Sequence, residues 1–183
     1  PAVDAVNISR QDIENNFTAF YFNSTEDIDL YEKLLKQGFE LISRQLTDIG
    51  QIFVDTKFEF GYARDEQGQD TLIYMDEVGT PDSSRIWDSV AYRAGSVVEN
   101  SKEEFRQALL HHVNDPDLLL DHRRFEERQR LAQSHALPAG MLRSLSEIYL
   151  SLAERIIGAP VEVPKQPLES MMAVLAEDFG IAQ

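Results

Sequence analysis

The 183-residue sequence predicts an α+β fold, an antiparallel β-hairpin or small sheet packed with several α-helices. After Thr25, apolar residues recur at three- and four-residue spacing, as in an amphipathic helix. Two strand-like runs, 51–62 and 71–78, flank the polar turn "RDEQGQD". Beyond them the chain reads as a series of helices, without repeats, low-complexity tracts or a linker.

Taken in order, residues 1–23 are mixed, with a short helix expected after Ser9. Ile28, Tyr31, Leu34, Leu35, Phe39, Ile42, Leu46 and Ile49 then make one apolar stripe. Ser24 or Thr25 can cap that helix, acids fill its first turn, and Gly50 stops it. After the hairpin, "GTPDSSRIWD" is a loop by its Gly, Pro, Asp and Ser content. "SKEEFRQALLHH" opens on a capping box, Ser101 with Glu104, and predicts a helix. Residues 114–136, with "DHRRFEERQR", read as a solvated helical insertion. Helices are expected over 139–157, ending before Gly158 and Pro160, and over 167–179, with Met171 and Met172 in the core.

Composition narrows the function. A formal net charge of -15 disfavours nucleic acid and anionic membrane surfaces as partners. The absence of cysteine removes disulfides, zinc-thiolate sites and thiol nucleophiles. No apolar run approaches the roughly 20 residues needed to span a bilayer, and no signal segment opens the chain. A cytoplasmic location is the expectation, with a homodimer left open.

The first strand carries an unusual row of charge. In "FVDTKFEFG" (53–61), alternation places Ile52, Val54, Thr56, Phe58 and Phe60 on a core face. Asp55, Lys57 and Glu59 fall on the other face with Gln51 and Phe53. One face in water would account for such alternation in an isolated strand. The second strand adds Asp76, which pairing across a turn near 66–67 would put on the charged face. Carboxylates around one ammonium suit a hard cation such as Mg²⁺. The loop "TPDSSR" then offers hydroxyls, Asp82 and Arg85, a set able to hold a phosphate; a tight turn with local caps is the plainer reading of the same residues. Together the two suggest phosphoryl chemistry.

"VDTKFEFG" (54–61) followed by "DEVGTPDSSRIWD" (76–88) resembles the paired signature of the SAICAR synthetase family. "SKEEFRQAL" (101–109) and "LPAGMLRSLSEIYLSLAERIIG" (137–158) extend the resemblance to that family's later helices. The resemblance implies an ATP-dependent ligase joining L-aspartate to the carboxylate of a carboxylated aminoimidazole ribotide (CAIR) in purine biosynthesis, through an activated acyl phosphate, with Mg²⁺ required. By position it implies that Glu59 and Asp76 hold the metal and that Lys57 is catalytic, meeting the transferred charge. It further implies that Asp82, Ser84 and Arg85 contact the ribotide, and that Lys102 and Arg106 lie near substrate and the incoming aspartate. Glu103 stands where the family carries a shorter Asp. The family's N-terminal nucleotide lobe has no counterpart in these residues. Residues 1–183 are therefore expected to be a single C-terminal substrate and metal lobe, inactive alone. A non-catalytic homologue that binds a ribotide or a protein is the alternative, and a helical interaction module a third. The five residues Lys57, Glu59, Asp76, Asp82 and Arg85 argue against the non-catalytic homologue, and for the interaction module magnesium should leave melting unchanged.

Other features carry less. His111 and His112 are adjacent on a helix and point about 100° apart, so they cannot share one metal by themselves. Trp87 is expected to pack beneath its loop.

Overall fold

The computed structural model describes residues 8–163 and 165–181. Helix α1 (Arg10–Asn15) starts at a reciprocal cap. Ser9 Oγ accepts from the Asp12 N–H at 3.2 Å, and Asp12 Oδ2 accepts from the Ser9 N–H at 3.0 Å. Helix α2 (Thr25–Asp48) is capped by Ser24, whose Oγ accepts from the Asp27 N–H at 3.2 Å. It runs into Gly50 at φ 71, a left-handed turn that starts the first strand.

The expected strand 51–62 is two strands. β1 (Gln51–Thr56) and β2 (Glu59–Arg64) are separated at Lys57 and Phe58. β2 pairs antiparallel with β3 (Asp70–Met75), as a hairpin. β1 pairs antiparallel with the later β4 (Ser84–Asp88), in a separate two-stranded sheet. The break lets one stretch of chain serve two ladders. At the break, the Lys57 N–H donates to the Ser83 carbonyl at 3.2 Å. The hairpin turn follows its sequence: Asp65 Oδ1 accepts from the N–H groups of Gln67 (2.9 Å) and Gln69 (2.8 Å), and Gly68 takes φ 77.

Leu46, Phe53, Ile86 and Leu152 form the buried core, with Phe39, Ile42 and Ile49 against it. These come from α2, β1, β4 and helix α7 (Ala139–Ile157), so one core ties the β1–β4 ribbon to both helices. Each such side chain contributes about 1.5–3 kcal/mol by leaving water. A second cluster under the hairpin is aromatic: Phe60 lies 4.9 Å from Tyr31 and 4.7 Å from Tyr74, centroid to centroid.

Between β4 and α7 lie α3 (Ser89–Arg93), α4 (Lys102–His112), α5 (Pro116–Leu120) and α6 (Phe125–Ser134). Ser101 does cap α4, but its Oγ accepts from the Glu103 N–H at 3.4 Å, and the expected box with Glu104 does not form. The 114–136 stretch is α5, a 3₁₀ turn at His122–Arg124 and α6, held by Arg124 between Asp115 (2.9 Å) and Glu127 (2.8 Å). In α8 (Pro167–Glu177), Met171 and Met172 are 52% and 42% exposed and not core residues as expected. Leu168 and Val174 are exposed beside them, because this helix does not seat on the core.

Candidate functional site

Register in the β1–β4 ladder decides which side chains reach the site. Gln51, Ile52 and Phe53 face Asp88, Trp87 and Ile86, but Asp55 faces Arg85 and Thr56 faces Ser84. The register slips at Val54, a bulge that turns the following side chains onto the opposite face. Simple alternation grouped Phe53 and Gln51 with Asp55. In the structure Gln51 and Phe53 are buried and Asp55 is half exposed, because of that extra residue.

Asp55 and Arg85, as ladder partners, form a two-pronged ion pair. Arg85 Nε donates to Asp55 Oδ1 at 3.0 Å and Oδ2 at 2.9 Å, and Nη2 also donates to Oδ2. The guanidinium holds the Asp55 carboxyl below its ordinary range. In the preceding loop, Asp82 accepts from Lys102 Nζ at 2.8 Å and from the Tyr149 hydroxyl at 3.0 Å. Those bonds, Lys102 first, lower the Asp82 pKa, while burial and then Asp82 raise that of Tyr149. On α4, Arg106 pairs with Glu103 at 2.9 Å, and Gln107 Nε2 donates to the same carboxylate at 2.6 Å.

These groups line one open cleft of about 480 Å³. Its floor is the β1 end and the 82–85 segment; its wall is the first turns of α4. Lys57, Asp82, Ser84, Arg85, Lys102 and Arg106, all expected at a site, are brought together there. Ser84 is 7% exposed and its Oγ donates to Thr56 Oγ1 at 2.9 Å, so its hydroxyl is engaged within the protein. Ser83 Oγ makes only long contacts to Thr80, at 3.3 and 3.4 Å, and is the freer of the two. Four cationic side chains face this cleft beside three acidic ones, in a chain of formal net charge -15. The charge balance is locally reversed, as an anionic ligand requires.

Glu59 and Asp76 are not among the cleft-lining residues. Glu59 faces Met75 in the ladder, so Asp76 falls one step from the alternation that was to bring it beside Glu59. Asp76 leaves the strand in a left-handed conformation, φ 58. The two acids meet the cleft through Lys57. Its ammonium pairs with Glu59, and that bond, with the charges of Asp76 and Glu77, raises the Lys57 pKa. Among the described residues no three metal-ligating side chains cluster.

Sequence spacing missed several participants. Tyr149 lies 67 residues from Asp82, a pairing that only packing of α7 reveals. Glu99 gave no signal in the sequence, yet it accepts from Trp87 Nε1 at 2.7 Å. Trp87 also packs on Tyr92, with centroids 5.4 Å apart. His112 Nε2 stands 2.9 Å from His135 Nε2, away from the cleft-lining residues.

Residues 4–117 match the family model described as SAICAR synthetase. The phosphoribosylaminoimidazole-succinocarboxamide synthase of Vibrio cholerae serotype O1 is 56% identical over 183 residues, 100% of this chain and 50% of that protein. The synthase of that name from Psychromonas ingrahamii is 57% identical over 180 residues, 98% of this chain and 49% of its own. The chain thus spans about half the length of the curated relatives it matches. A crystal structure of SAICAR synthetase from Pyrococcus horikoshii OT3 superposes with a TM-score of 0.48 at 22% identity, covering 79% of this chain and 44% of that one.

Proposed function

The chain belongs to the SAICAR synthetase family, and from that premise we propose that it is the ribotide- and metal-binding lobe of a phosphoribosylaminoimidazole-succinocarboxamide synthase. The reaction is the ATP-dependent joining of L-aspartate to the CAIR carboxylate, in the cytoplasm. One observation carries this reading: a cationic cleft in an acidic protein gathers Lys57, Asp82, Arg85, Lys102 and Arg106.

Arg85 takes the ribotide phosphate with its planar fork. Asp55 holds that fork in place and competes with the phosphate for it. Asp82, kept ionised by Lys102 and Tyr149, accepts from the exocyclic amine of the imidazole. Lys102 and Arg106 attract the carboxylates of the incoming aspartate. Lys57, its ammonium strengthened by Glu59, stabilises negative charge on the carboxylate undergoing activation. The aspartate amine must be neutral when it attacks.

Glu59 and Asp76 would hold Mg²⁺, since an ion that keeps most of its waters needs only one or two carboxylates. Bound there, it would neutralise charge on phosphoryl oxygens.

Calorimetric titration of the chain with CAIR tests the proposal. Binding is expected for the wild type, and Arg85→Ala should weaken it about tenfold to a hundredfold, the range of one lost charge-assisted contact. A wild-type chain that takes up no CAIR would end this reading.

A further inference from the structure

We infer that Glu99 is a positioning residue, whose carboxylate couples the strand carrying Arg85 to the helix carrying Lys102 and Arg106. The inference rests on the cleft being an anion site and not on which anion it serves.

β4 has β1 on one side only, and segment 98–100 lies along its other edge. The Asp88 N–H donates to the Val98 carbonyl at 3.0 Å, and the Asn100 N–H to the Ile86 carbonyl at 2.7 Å. Glu99 lies between these bonds. Its Oε1 accepts from the Ile86 N–H at 3.1 Å and from the Ser101 hydroxyl at 2.5 Å, and its Oε2 from the Trp87 indole N–H at 2.7 Å. Ile86 directly follows Arg85, and Ser101 directly precedes Lys102. Ser101 is fully buried and caps α4. One carboxylate therefore ties the residue beside Arg85 to the cap beside Lys102. A half-buried carboxylate with three donors is a rigid joint, and removing it leaves three donors without their acceptor.

The direction of the effect separates positioning from charge. Glu99 lies close enough to Arg85 for its charge to favour the guanidinium. By Coulomb's law alone, removing that charge would strengthen anion binding at Arg85. Loss of a joint predicts the opposite. In Glu99→Gln one oxygen remains as acceptor, and the new amide confronts a donor with a donor.

The test compares wild type, Glu99→Gln and Glu99→Asp by calorimetric titration with inorganic phosphate, on protein verified as folded by circular dichroism. Glu99→Asp keeps the charge and shortens the reach by one methylene. Trp87 is the sole tryptophan, so its emission reports the contact directly. Both variants should bind phosphate roughly fivefold to twentyfold more weakly, with displaced Trp87 emission, and the aspartate variant carries the test if the glutamine variant does not fold. Affinity equal to or tighter than wild type overturns the inference, as does a wild type that takes up no phosphate. Phosphate binding without CAIR binding would instead count against the proposed function alone.

Discussion

Asp55 meets Arg85 across the β1–β4 ladder because β1 bulges at Val54. Without the extra residue, Asp55 would share the face of the buried Phe53, and the guanidinium would have no carboxylate in its own row. The bulge thus places an acid on the fork that the proposed phosphate must use.

Asp55→Asn should therefore tighten the binding of inorganic phosphate, by roughly twofold to tenfold, since the anion no longer competes with a fixed carboxylate. Stability should change little. Both partners are about half exposed, 50% and 47%, and such pairs contribute about 0–1 kcal/mol. Calorimetry gives the first quantity and urea denaturation the second. Weaker phosphate binding in Asp55→Asn would mean that the carboxylate's orienting role outweighs its competition.

Asp82 links pH to the same site. Lys102 and Tyr149 depress its pKa in the folded state, so the folded protein binds this proton less readily than the unfolded chain does. The stabilisation is present above the unfolded carboxyl value, about 3.9, and is lost as pH falls through the lower folded value. Asp82→Asn should erase it. Melting curves of wild type and variant should differ most near neutral pH and converge in acid; a constant difference across that range would refute the assignment.

Tyr149 gives the alkaline counterpart. Burial and the Asp82 carboxylate raise its pKa, so this phenol should stay protonated where ordinary tyrosines, near pH 10, ionise. Stability from this group is present below the unfolded value and declines as pH rises through the folded one. Spectrophotometric titration of Tyr149→Phe should lack one late-ionising phenol relative to wild type. Loss of an early one would show Tyr149 to be free of Asp82.

The loop carrying Asp82 starts at Gly79, whose φ of +69 suits glycine. A Cβ there would stand 2.6 Å from Ile42 Cδ1 of α2. Gly79→Ala should cost about 1–3 kcal/mol from backbone strain, measurable by urea denaturation, and should weaken phosphate binding by shifting Asp82. Wild-type stability would show that the loop relaxes freely.

Local chemistry was legible in the sequence, and register was not. The α2 stripe from Ile28 to Ile49, the Ser24 and Ser101 caps and the Asp65–Gly68 turn each depend on neighbours within a few residues. The Val54 bulge depends on β4, some thirty residues on, and the break at Lys57 depends on two partner strands at once. Those two features decide which faces Asp55 and Asp76 occupy, so simple alternation put Asp76 opposite the charged row where the ladder does not, while Arg85, Asp82 and Lys102 line one cleft. Glu99 was invisible for a related reason. A lone acid before a capping serine has no pattern until the edge of β4 lies beside it.

The proposed split between metal and phosphate predicts that Glu59→Gln and Arg85→Lys fail differently. Glu59→Gln keeps its shape and loses one negative charge, so magnesium-dependent turnover should fall while metal-free CAIR binding survives. It also removes the partner that strengthens the Lys57 ammonium. Arg85→Lys keeps charge but loses the fork that now grips Asp55 with two nitrogens. It should raise the CAIR requirement about tenfold to a hundredfold, the worth of one charge-assisted bond of roughly 1.5–3 kcal/mol, with the magnesium dependence unmoved. A chimera joining this chain to the other half of the Vibrio cholerae relative supplies the turnover assay, and CAIR titration of the chain alone supplies the binding assay. Melting temperatures must match wild type, since a general folding defect would depress both readouts together. If the two variants then show one and the same profile, Glu59 and Arg85 do not divide the work between metal and phosphate.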